Sequence, residues 1–183
     1  MNLTNQRDQS LTQKLFSLVV RRAGAFFVDI FILFGVLGPT GFLIQRLFGH
    51  QPQTGPDIWY TLLLNFSFPT WLYFTLSDRS SRGATLGKRL FRLRVIGVAG
   101  TRLGFWQALG RTAIKLLPWE LIHVSAFALS TDMSRLSPQQ TVGLAVASGL
   151  AFLYFVVAVI TRGQRSAHDF AMRTEVQISE REK

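Results

Sequence analysis

Apolar and polar positions alternate along this chain in long blocks rather than with the period of a helix face or a strand. Ile58 to Leu76 and Thr141 to Ile160 carry no formal charge. Ala23 to Ile44 is interrupted only by Asp29. A hydrocarbon core of roughly 30 Å takes about 20 helical residues to cross. Spanning segments must satisfy their own backbone hydrogen bonds, and no period-2 alternation suggests a barrel. The three blocks therefore read as transmembrane helices over about 23–44, 58–76 and 141–160. A shorter block, Leu116 to Ser130, carries Glu120 and His123. The first block is too long for the apolar core of a cleaved leader and lacks a small-residue cleavage site, so it reads as retained.

The basic residues decide the status of the short block. Arg7, Lys14, Arg21 and Arg22 precede the first span. Arg79, Arg82, Lys88, Arg89, Arg92, Arg94, Arg102, Arg111 and Lys115 lie after the second, and Arg162, Arg165, Arg173, Arg181 and Lys183 after the last. Only Arg46 and Arg135 remain. Loops rich in Lys and Arg stay in the cytoplasm. A three-span topology would split these clusters across the bilayer, whereas a fourth span at 116–130 gathers them on one side with both termini cytoplasmic. The expected fold is all-α and membrane-embedded. A polar lead over 1–20 precedes a four-span domain over 21–178 and a charged tail over 179–183.

Composition sharpens this picture. The chain is 48% hydrophobic with only 16% charged residues, against about 25% in soluble domains. It has no cysteine, which excludes disulfides and thiolate metal sites. Its three histidines lack ligand spacing, so neither a metal nor another cofactor is expected. The net charge of +10 and pI near 11.2 would suit a nucleic-acid binder. The basic residues sit where topology requires them, however, and no nucleic-acid motif accompanies them. Anionic lipid headgroups are the expected partner of that face.

The basic loop has structure of its own. Arg92 to Val98 alternates polar and apolar residues, as does Thr174 to Ile178, so two short strands on one membrane face are placed to pair as a ribbon. Gly104 to Pro118 reads as an amphipathic helix lying at the headgroups, with Arg111 and Lys115 one turn apart and Trp106 and Trp119 at the interface. Gly83 to Lys88 only superficially resembles a phosphate loop. Three residues separate Gly83 from Gly87, and Arg89 follows Lys88 where Ser or Thr belongs. Nucleotide hydrolysis is rejected, and no nucleophile–base set points to an enzyme.

Asp29 lies two helical turns past Arg22 on the same face, roughly 10 Å deeper at about 1.5 Å per residue. A charge at mid-membrane costs on the order of 2.5–3.5 kcal/mol. Asp29 therefore reads either as a proton or cation site or as one member of an internal lock with Arg22, Arg111 or Lys88. Asp169, beside His168, reads as a second acidic site, as the N-cap of a helix Phe170 to Arg173, or as a salt-bridge partner of Arg94 or Lys88. His168 alone has an ordinary pKa near neutrality. Glu120 and His123, three apart on one face, read as a relay beside Asp29 or as interfacial groups. Gly143, Ala147 and Ala151 form a small-residue stripe suited to close helix packing. Asn65 and Pro69 place a polar group and a kink in the second span.

Three stretches carry a resemblance. Arg22-x-x-Ala25-Phe26-x-x-Asp29 opens the first span. Gly83-x-Thr85-x-Gly87-Lys88-Arg89-Leu90 runs on to Leu93-Arg94-Val95, with Arg111 downstream. Arg165-x-x-His168-Asp169 precedes Thr174 and Val176. In this order the chain resembles the RDD family of bacterial multi-pass membrane proteins, named for one arginine and two aspartates. Where that family has Ala-Gly-Thr before its last strand, this chain has Met172-Arg173-Thr174. The resemblance implies residence in the bacterial inner membrane. It marks Arg22, Asp29 and Asp169 as the residues to examine, and makes transport, as by a cation/proton exchanger, the expectation. Four short helices leave little room for an enclosed path, so a transporting unit is expected to contain several copies. The alternative is a non-transporting module that binds anionic lipid or a partner protein through its arginine-rich face.

Overall fold

The structure is a computed structural model. It describes residues 3–49, 51–129 and 135–179, and residues 3–17 by their backbone alone. Three of the expected boundaries therefore fall at or beyond its limits: Met1, Ser130 and the tail after Ser179. The chain is mostly helical. In order come α1 (Leu3–Phe48), α2 (Gly55–Leu62), a π turn (Leu63–Ser67), α3 (Phe68–Arg79), α4 (Leu86–Leu90) and β1 (Leu93–Gly97). There follow α5 (Phe105–His123), a second π turn (Val124–Ala128), α6 (Pro138–Ile160), α7 (Ala167–Ala171) and β2 (Thr174–Ile178).

Two helices are long and apolar enough to cross a bilayer, over Leu18–Phe48 and Pro138–Ile160. Only 17% and 6% of their most apolar windows is buried inside the protein. A soluble core helix would bury most of such a window, so these helices turn their side chains outward. The interior buries charge beside its apolar clusters, with Asp29, Asp78, Arg111 and Asp169 each at most 1% exposed.

Several expected boundaries change. The first span is part of a helix that already runs from Leu3, through the polar lead. The headgroup helix and the short span are one helix, α5, continued by its π turn. Pro118 lies inside it. Its apolar–polar stripe is genuine, but the polar side faces a polar protein interior: Arg111 is 1% exposed. Around Pro69 the helix widens instead of breaking. Proline clashes with the carbonyl four residues back, and the π turn over Leu63–Ser67 ends two residues before Pro69.

Strands β1 and β2 pair antiparallel, Leu93 opposite Ile178 and Gly97 opposite Thr174. Leu93, Val95 and Val176 face inward with Leu18 and Ala25 of α1 and Ala108 of α5. The turn into β2 lacks the expected glycine, and Arg173 takes the left-handed conformation itself, at φ 51°. Arg92 and Arg162 do the same after α4 and α6, both at φ 55°. Each stands just past a helix end, where glycine is usual, at a cost of about 1–2 kcal/mol for a residue with a Cβ. In the small-residue stripe, Gly143 and Ala147 pack inward while Ala151 is exposed. A Cβ at Gly143 would overlap the Ser125 hydroxyl in the second π turn.

Gly87 makes the closest helix contact. A Cβ there would overlap the Ala25 carbonyl oxygen of α1 and come within 2.9 Å of Asp29 Cγ. Nothing lies within 4 Å of the same position at Gly149. Gly87→Ala is expected to destabilise the protein by about 1–3 kcal/mol through overpacking, and Gly149→Ala to leave it no less stable, with up to about 1 kcal/mol gained from helix propensity, read as thermal unfolding in detergent.

Candidate functional site

Helix α1 carries Asp29 into the interior, and the loop after α3 folds back over it. The Tyr73 hydroxyl and the Gly87 N–H donate to Asp29 Oδ1 at 2.6 and 2.7 Å, and the Thr85 hydroxyl donates to Oδ2 at 2.6 Å. Tyr73 Oη in turn accepts from the Leu86 N–H at 2.9 Å. Thr85 is also the N-cap of α4, accepting from Lys88 N–H. One carboxylate thus pins the start of α4 to the middle of α1. Neither Arg22, Arg111 nor Lys88 pairs with it, which corrects that expectation. Neutral donors from α3 (Tyr73), the loop (Thr85) and the start of α4 (Gly87) satisfy Asp29 before any cation does.

The cations are spent on two other aspartates. Arg22 donates to Asp169 Oδ2 at 2.6 Å and to the Gly163 carbonyl at 2.8 Å. Arg111 Nε donates to Asp169 Oδ1 at 2.9 Å, and Arg111 Nη1 donates to Asp78 Oδ2. Lys88 Nζ donates to Asp78 Oδ1 at 2.5 Å. The result is an alternating chain, Arg22–Asp169–Arg111–Asp78–Lys88, joining α1, α7, α5, α3 and α4. Asp169 pairs with neither Arg94 nor Lys88. It is not the N-cap of a helix Phe170 to Arg173 either. Helix α7 starts earlier, Ser166 is its N-cap, and Asp169 at the third position closes the capping box through the Ser166 N–H at 2.9 Å. The Thr174 hydroxyl adds a further bond at 3.0 Å.

A cavity of about 250 Å³ adjoins this chain, lined by Asp29, Lys88, Arg111, Lys115 and His168 on its polar side and by α1 and α6 on its apolar side. Lys115 Nζ sits 3.1 Å from the centroid of the Phe74 ring. No carboxylate among the described residues lies within ion-pair distance of it. His168 Nε2 is 3.5 Å from Asp169 Oδ2, and its Nδ1 is buried without a partner among the described residues.

Burial pushes the carboxyl of Asp169 up, but the guanidinium groups of Arg111 and Arg22 outweigh it and hold that carboxyl well below the usual carboxylate range. Burial dominates for the bases outside the helices over Gly55–Arg79 and Phe105–Ala128. It draws His168 well below its ordinary value, and Lys88 below its own despite Asp78.

A model of the RDD family matches residues 16–173. The chain belongs to the RDD family. RDD proteins are membrane proteins. No curated protein and no solved structure matches the chain. The residues picked out by the RDD resemblance divide into two groups here. Arg22 and Asp169 are bound to each other, while Asp29 has separate partners on the loop motif.

Within that motif, Gly83 is at φ +58° and its carbonyl accepts from Val95 N–H at 2.7 Å; a Cβ there would lie 2.5 Å from the Val95 carbonyl oxygen. Arg89 Nε donates to the Ala84 carbonyl at 3.2 Å, and Arg94 is exposed on the ribbon. Glu120 and His123 lie away from the Asp29 cavity. Glu120 accepts from the Ser67 hydroxyl and Trp71 Nε1 at 3.0 and 3.1 Å.

Sequence reasoning missed three members of this RDD site. Asp78 looked like part of a polar turn, although it follows the apolar block by two residues. Lys115 looked like a headgroup lysine, although its one-turn spacing from Arg111 put both on one face. Tyr73 offered no signal at all.

Asp169→Asn keeps the shape of the side chain but leaves Arg22 and Arg111 facing an uncharged group. At neutral pH it is expected to cost about 3–5 kcal/mol, the range for breaking a buried pair. Because the native carboxyl sits below its unfolded value of about 3.9, its contribution is full above that value and is lost as pH falls through the lower native one. The stability gap between wild type and variant should therefore shrink on acidification below pH ~4, measured by denaturation in detergent at stepped pH.

Proposed function

We propose that this RDD protein is a proton-coupled monovalent cation carrier of the bacterial inner membrane, with Lys115 as proton carrier and Asp29 as the carboxylate of the cation site. The supporting observation is Lys115 itself, a lysine without an ion-pair partner among the described residues, lining the same cavity as Asp29. Four cationic groups, Arg22, Lys88, Arg111 and Lys115, stand against three carboxylates, Asp29, Asp78 and Asp169. With all of them ionised, one positive charge is left over in a low-dielectric site. Arg111 and Arg22 cannot release a proton and are bound to aspartate, and Lys88 is bound to Asp78. Lys115 is the group free to give up its proton. When it does, a monovalent cation beside Asp29 restores the same charge. One proton leaves as one cation enters, and no covalent step is needed.

The carrier reading uses a four-span topology, with the helices over Gly55–Arg79 and Phe105–Ala128 as second and third spans and both termini cytoplasmic. A second reading rests on the surface. Arg82, Arg89, Arg92, Arg94 and Arg102 are exposed beside Leu90 at 69% and Trp106 at 76% exposure, a combination suited to anionic headgroups. Such a module would bind lipid without moving ions.

In proteoliposomes, an outside pulse of sodium or potassium should alkalinise the lumen as each entering cation drives a proton out. Lys115→Arg, which keeps the charge but not the exchangeable proton, should abolish the flux, as should Asp29→Asn. Flux that is absent from the wild type, or undiminished in Lys115→Arg, rejects the carrier. The topology has its own check in this cysteine-free chain. A single cysteine at Arg135 should react with an impermeant thiol reagent added to intact cells, and one at Arg94 only after permeabilisation.

A further inference from the structure

A second groove of about 520 Å³ lies between the helices around the first π turn and α5, and shares no lining residue with the Asp29 cavity. Its walls are Trp59, Phe68, Trp71, Leu72 and Phe105, and its acid is Glu120. Glu120 stands nine residues past Arg111 on α5, about 13 Å further along the helix. Its two hydrogen bonds come from neutral donors, Ser67 and Trp71. No Lys or Arg among the described residues reaches it. The one basic atom nearby is His123 Nδ1, at 3.9 Å. The Thr75 side chain lines the same groove, is 1% exposed, and its hydroxyl has no partner among the described residues.

We infer that this groove is a binding site for a lipophilic organic monocation, with Glu120 as its counter-ion and the Trp and Phe rings around its body. Four observations carry this. First, in the four-span topology proposed above, on which this site rests, Glu120 lies within the third span, and a carboxylate there is costly without a compensating charge. Second, aromatic faces attract a diffuse or quaternary cation, whereas a small inorganic ion needs a shell of oxygens that the almost wholly apolar walls do not supply. Third, the rim residues Leu64 and Phe68 are 67% and 59% exposed on the outer surface, so entry is from the lipid phase, where a lipophilic cation concentrates. Fourth, the groove is bounded by both π turns: Ser67 belongs to the first, and Val124, in its lining, opens the second. Such turns recur at functional sites because they re-aim side chains out of the helical repeat.

The experiment is equilibrium dialysis of tetraphenylphosphonium against the full chain in nanodiscs of zwitterionic lipid, with empty nanodiscs subtracted. Wild-type protein should bind it saturably, and the equally bulky anion tetraphenylborate should not compete. Glu120→Gln should weaken binding about tenfold or more, the loss expected for a desolvated charge contact. Leu64→Trp, a rim substitution that narrows the entrance, should also weaken binding. It serves as the test on its own if Glu120→Gln elutes aggregated on size exclusion. Lys115→Arg should retain binding, so failure of the carrier reading leaves this site standing. Absence of saturable binding, equal competition by tetraphenylborate, or unchanged affinity in a folded Glu120→Gln protein would each overturn the site. The last two outcomes would mark the groove as a resting place for lipid chains or for a second copy.

Discussion

Arg111 holds two buried aspartates at once, and the arrangement of the molecule follows from that. Removing an ion from water costs several kcal/mol even after relaxation, and the cost is recovered only when its partners sit in good geometry. With Asp78 and Asp169 fully buried on either side of Arg111, α5 cannot shift against α3 or α7 without stranding a charge. Arg22 and Lys88 extend the same condition to α1 and α4. In a bilayer the lipid is as apolar as the helices, so hydrophobic burial does little to choose helix partners. Here the choice is made by charge pairing, which tolerates few alternatives.

Close backbone contact supports the ionic chain. Gly87 lies against the Ala25 carbonyl and presents its N–H to Asp29, so the same residue supplies both the space and the hydrogen bond. Gly143 likewise leaves room for the Ser125 side chain, which lets α6 pack closely on the second π turn. The arginines at the left-handed helix ends show the opposite economy. Arg92, Arg162 and Arg173 accept strained backbone where glycine would be relaxed, and in exchange each places a long cation at the end of a helix, where the backbone dipole favours positive charge.

Family membership and membrane character were legible in the chain because both are written locally, in uncharged blocks and short motifs. Much of the site was not legible. The partners of Asp29 stand 44, 56 and 58 residues away, and no periodicity links them. An aspartate next to an arginine invites pairing on paper, but Tyr73, Thr85 and Gly87 reach it first. Arg111 and Lys115 did show a polar stripe. A stripe says that one face avoids lipid; whether that face meets water or a polar interior depends on the rest of the fold. The offset of α7 has a similar source: Ser166 and Asp169 have the spacing of a capping box, yet Asp169 is itself a good cap, and the box placed the helix start three residues earlier.

The bond between Arg22 and Asp169 joins residues 147 positions apart. Synthesis delivers the arginine long before the aspartate. Until Asp169 emerges, α1 has no native counter-ion for Arg22, and Arg111 has only Asp78. The order of synthesis therefore separates helix formation from charge matching: α1, α3 and α5 are made before the group that ties Arg22 to Arg111. A chain stopped short of Asp169 would keep all of those helices and leave Arg22 unmatched.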